Sequence, residues 1–85
     1  METNDKTHQI SIFNDDVNSI DYVMACLIKF CNHEIEQAAQ CTFIAHHKGK
    51  CSVKIGDFLE MIEIKTNLDR VDIKSEIEEY ASNMY

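Results

Sequence analysis

The chain has 85 residues, 45% of them hydrophobic and 27% charged, and a formal charge of −7 from fifteen acids against eight bases. A chain this small buries only about 60–65% of the surface its unfolded form exposes, so it has one domain and one core, and its composition is that of a globular protein, not a disordered one. The acidity, uninterrupted by any basic stripe, repels a phosphate backbone and argues against nucleic acid as a partner. No apolar run approaches the ~20 residues that cross a bilayer, so no membrane contact is expected. The amino end, METNDKTH, is polar and lacks signal-peptide character, which points to a cytoplasmic or organellar, stroma-like reducing compartment. In such a compartment Cys26, Cys31, Cys41 and Cys51 behave as small apolar residues. None of them has the C-x-x-C spacing of a structural zinc site, so no metal and no cofactor is expected.

In chain order, HQISIF over His8–Phe13 alternates apolar and polar residues and ends in an Asn-Asp cluster, the pattern of a strand entering a turn. Ile20, Val23, Met24, Leu27 and Cys31 then recur at helical spacing, with Asn18 expected as N-cap and Asp21 as a capping-box partner. A second helix is predicted from Asn32 as its cap, with glutamates in its first turn, to Gly49, where a left-handed residue ends it. KCSVKI alternates as a second strand. After Gly56, Asp57 and Glu60 cap a third helix running through Leu59 and Ile62 to about Leu68, and Val71, Ile73, Ser75 and Ile77 alternate as a closing strand. The predicted order is β-α-α-β-α-β in the α+β class, a small antiparallel three-stranded sheet covered by three helices. The expected division is a polar arm over 1–9, a core domain over 10–79 and a tail over 80–85.

Taken alone, Asn14-Asp15-Asp16 is a strand-to-helix turn, because Asn and Asp side chains bond to nearby backbone there. His46 alone closes a helix, where an imidazolium meets the negative dipole end. Taken together and at this separation, NDDVNSIDYVMACLIKF and AHHKGK resemble the ClpS family, adaptors of the Clp proteases that recognise amino-terminal degradation signals. The resemblance runs from about Ile10 to Glu78 and includes IKSEIEE near the end. It implies that the first residue of a client protein enters a small pocket, its α-amino group held by Asn14, Asp16 and His46. The pocket wall would come from Ile20, Val23, Thr42, Ala45 and Ile73. It also implies a Clp-family AAA+ unfoldase of the ClpA or ClpC type as partner, together with substrate proteins carrying hydrophobic or aromatic amino-terminal residues.

The chemistry is coherent in itself. An α-amino group with a reference pKa of about 7.7–8.0 is mostly a three-donor cation at neutral pH and needs acceptors when it leaves water. An amide oxygen, a carboxylate and a neutral imidazole nitrogen supply three, and the carboxylate bond is the charge-assisted one. Thr42 stands where the family commonly has a bulky Met gatekeeper, and Ala45 where it commonly has Val. The resemblance therefore implies a roomier or shallower pocket tolerant of β-branched or large aromatic ends. Charged docking residues of the family align with Leu59 and Ile64, and the arm before the first strand is short. The alternative reading is a divergent domain of the same fold that has lost degron binding or inhibits the Clp chaperone. An enzyme is the remaining rival, but no nucleophile is paired with a base and no glycine-rich phosphate loop is present.

Overall fold

The structure, a computed structural model, describes residues 6–80; the outer parts of the arm, 1–5, and of the tail, 81–85, lie outside the described residues. Strand β1 (His8–Phe13) is the middle of a three-stranded antiparallel sheet, flanked by β2 (Lys50–Gly56) and β3 (Ser75–Glu79). The alternation in HQISIF places Ile10 and Ile12 fully inside. On the β2 side Ile10 pairs with Lys54 but Ser11 pairs with Ser52, so Val53 is the extra residue of a β-bulge. Its carbonyl oxygen accepts instead from His33 Nε2 at 2.6 Å. A carbonyl can only accept, so Nε2 carries a proton, and Nδ1 is buried without a hydrogen-bond partner among the described residues.

Helices α1 (Ile20–Cys31), α2 (Ile35–Lys48) and α3 (Phe58–Arg70) complete the order β1-α1-α2-β2-α3-β3, as the sequence predicts. Helices α2 and α3 pack directly on the strands, and α1 packs against both of them. One core results, in which Leu27, Met61 and Leu68 meet Ile10 and Ile12 with no exposed surface on the helical residues. Fully burying a side chain of this size contributes about 1.5–3 kcal/mol. No helix among the described residues is long and apolar enough to cross a membrane.

Several boundaries differ from expectation. Helix α1 is capped by Ser19, whose Oγ accepts from the Tyr22 N–H at 3.1 Å, and not by Asn18. Asn18 is engaged elsewhere: its Nδ2 donates to Asp15 Oδ2 at 2.6 Å and to Asp72 O at 3.0 Å. Asn32 ends α1 in the left-handed region (φ 59°) with its N–H on Leu27 O, while Glu34 begins α2 without a side-chain cap bond. An Asn serves either role, because its short amide tolerates positive φ. Asp57 does cap α3, accepting from the Glu60 N–H at 2.7 Å. The buried face of that helix is Met61, Ile64 and Leu68, however, leaving Leu59 and Ile62 exposed. Val71 and Asp72 form a turn after α3, Asp72 with φ 62°, so the closing strand starts only at Ser75.

Candidate functional site

The turn between β1 and α1 is organised by Asp15. Its Oδ1 accepts from the Val17 N–H at 2.8 Å and the Asn18 N–H at 3.0 Å, and its Oδ2 takes the Asn18 amide. Partial burial alone would push this carboxyl up, but the bonds from Asn18 and Val17 outweigh it and hold the pKa below the ordinary aspartate value. At the other end of the site, α2 stops at Gly49, which takes φ 99° as C-cap with its N–H on Ala45 O at 2.9 Å. Gly49 O in turn accepts from the Asn14 N–H at 3.0 Å. That bond fastens the start of the turn to the last residues of α2, and so brings Asn14 beside His46 although 32 residues separate them.

Between these segments lies a hollow. Asn14, Asp15 and Asn18 line it from the turn, Ile20 and Val23 from α1, and Thr42, Ala45 and His46 from α2, with Ile12 and Phe13 of β1 at its floor. It has about 280 Å³ of atom-free space counted out to its mouth, but a water-sized sphere can centre itself in only about 20 Å³ of that. This is room for about one water. Val23, Thr42 and Ala45 are buried, whereas Asn14, Ile20 and His46 are exposed at the rim. Thr42 Oγ1 donates to Ala38 O at 2.8 Å, one turn back in its own helix, so the hollow gains no free donor from it. The His46 ring lies edge-on to His47 at 5.2 Å, and His47 stacks on the exposed Phe43 at 6.4 Å.

Of the eight residues singled out in the sequence, six line this hollow: Asn14, Ile20, Val23, Thr42, Ala45 and His46. Two do not. Asp16 is exposed on the same turn but outside the lining, and Ile73 is buried, 3% exposed, in the core beneath. Four lining residues, Ile12, Phe13, Asp15 and Asn18, were not assigned to the pocket from sequence. The signal for Asp15 and Asn18 was the Asp-x-x-Asn spacing, which lets one carboxylate hold the N–H groups two and three residues ahead. Among the described residues no three His, Cys, Asp or Glu side chains converge as a metal site.

The fold itself has a known counterpart. The structure of Agrobacterium tumefaciens ClpS2 bound to L-phenylalaninamide superposes with a TM-score of 0.74 at 14% sequence identity, covering 91% of this chain and 100% of that one. No curated protein matches the sequence. The family whose members are described as ATP-dependent Clp protease adaptor protein ClpS matches residues 3–78. The chain therefore belongs to the ClpS family, adaptors that work with the ATPases of the Clp proteases.

Proposed function

We propose that this protein binds the free amino terminus of client proteins whose first residue is hydrophobic, and hands them to a Clp AAA+ unfoldase of the ClpA or ClpC type, without catalysis of its own. One observation carries the reading: Asn14 and His46, brought together by the Asn14–Gly49 backbone bond, stand at the rim of a hollow whose wall is Ile20, Val23 and Ala45. Polar acceptors beside an apolar recess suit a ligand that is a cation at one end and a hydrocarbon at the other. L-phenylalaninamide, bound by the structural counterpart, has that form: an ammonium and an aromatic ring with no carboxylate. Asp16, on the exposed turn between Asn14 and Asn18, supplies the third acceptor and the charge-assisted bond once an ammonium arrives.

The test is a pair of peptides beginning with Leu or Phe, one with a free and one with an acetylated amino end. Acetylation removes the charge and the donors and leaves the acceptors desolvated without partners, typically about 1–3 kcal/mol or more. The reading requires at least a tenfold preference for the free end. Equal affinities, or none, would favour the divergent domain, which the narrowness of the hollow and the place of Asp16 outside its lining also support.

A further inference from the structure

Two thiols from different elements converge on one acceptor. Cys41 Sγ on α2 lies 3.8 Å, and Cys51 Sγ on β2 3.5 Å, from the carbonyl oxygen of Ser52. The Cys51 thiol also stands close enough to Cys41 to push the Cys41 pKa up. Cys26 and Cys31 are buried within the core, whereas Cys51 is only half-buried and is the thiol of the pair that a small oxidant reaches. We propose that Cys41 and Cys51 are a redox modification site, oxidised by hydroperoxides to an intramolecular disulfide that ties α2 to β2.

The step balances without any further reactant. The Cys51 sulfur attacks one peroxide oxygen of hydrogen peroxide, the O–O bond breaks, and the departing hydroxide leaves as water with the thiol proton, giving a sulfenic acid. The Cys41 sulfur then attacks Cys51 sulfur, the S–O bond breaks, and a second water leaves carrying the Cys41 proton. Two thiols lose two electrons and two protons, and one peroxide is reduced to two waters. Burial, with the neighbouring Cys51 thiol behind it, pushes the Cys41 thiol up to about 12, so Cys41 is the poorer first nucleophile. Its attack on the sulfenic acid relies on its position beside Cys51 and on losing its proton as the S–S bond forms. The closed ring spans Cys41 to Cys51 and contains Thr42, Ala45, His46 and Gly49, so the bridge constrains the segment that forms one wall of the hollow.

The whole chain is treated with hydrogen peroxide, its remaining thiols are blocked, and it is digested with trypsin. Cleavage after Lys48 and Lys50 puts Cys41 and Cys51 on separate peptides unless they are bridged. Cys41 shares its peptide with Cys31, since no Lys or Arg lies between them, so the Cys31→Ser variant is run in parallel. A monomer about 2 Da lighter is expected, with two of its four thiols lost and a bridged peptide pair in both wild type and Cys31→Ser, reversed by dithiothreitol. The bridge should be absent from Cys51→Ser and from Cys41→Ala. Retention of all four thiols would overturn the proposal. So would conversion of Cys51 to sulfinic acid with Cys41 still reduced, a bridge lost in Cys31→Ser, or a covalent dimer.

Discussion

Asp15 and Asp16 are neighbours of the same type with opposite surroundings, and their variants should separate cleanly. Three donors from Val17 and Asn18 converge on the Asp15 carboxylate, while Asp16 is open to solvent. Asp15→Ala should destabilise the domain by about 1 kcal/mol at neutral pH, read from urea unfolding. Because the folded pKa of Asp15 lies below its ordinary value, its stabilisation is present above the unfolded pKa and is lost as pH falls through the folded one. The gap between wild type and Asp15→Ala should therefore close in acid and not in base. Asp16→Ala should leave stability within about 0.5 kcal/mol of wild type, as exposed substitutions do, yet remove most of the affinity for a free-amine peptide. A loss of binding no greater than the loss of stability would return Asp16 to a purely structural role.

At the level of elements, order was legible in the sequence because each piece carried its own period or cap. Ile10 and Ile12 alternate inward, Asp57 caps α3, and Gly49 takes the left-handed angle that ends α2. The misplaced boundaries share one cause: a residue type that serves two roles. Asn32 could begin one helix or end another, and the packing of α1 on α2 chose the ending. Helix α3 has apolar residues at Phe58, Leu59, Met61, Ile62, Ile64 and Leu68, two overlapping stripes, and only the sheet decides that Met61, Ile64 and Leu68 face inward. The residues of the candidate site came from the family resemblance and not from periodicity, although Ile20 and Val23, like Thr42 and Ala45, do stand three apart on one helix. Asp16 and Ile73 depended on the local course of a turn and on the start of β3, which no periodicity reports. Gly49→Ala should cost about 1 kcal/mol, because alanine is strained at φ 99° although no atom crowds its Cβ. It should also loosen the Asn14–Gly49 bond and weaken peptide binding beyond that cost, which a melt and a peptide titration on one sample would show. His33→Ala leaves the bulge carbonyl of Val53 unpaired and opens a cavity, so a loss of about 2–4 kcal/mol is expected in denaturant unfolding. A loss below 1 kcal/mol would mean that water takes over the carbonyl.

Across the whole molecule, the surplus of seven negative charges sets which ligands approach it at all. Only two ion pairs are found among the described residues, Lys50–Glu78 and Lys65–Asp69, both partly exposed and worth little to stability. Most of the acidic charge is thus left to shape the field around the protein. A peptide whose only charge is its terminal ammonium is drawn toward such a surface, and the attraction is screened over about 10 Å at 0.1 M salt and about 3 Å at 1 M. The two parts of recognition therefore separate by their salt dependence. Association of a free-amine Leu peptide should slow severalfold between 10 mM and 1 M salt, with dissociation little changed if the bound peptide itself shields its ammonium from solvent. If the association rate is flat across that range, the charge of the molecule plays no part in finding its ligand. If dissociation carries the whole effect instead, the bound ammonium stays open to solvent at the rim and is held by screened charge attraction alone.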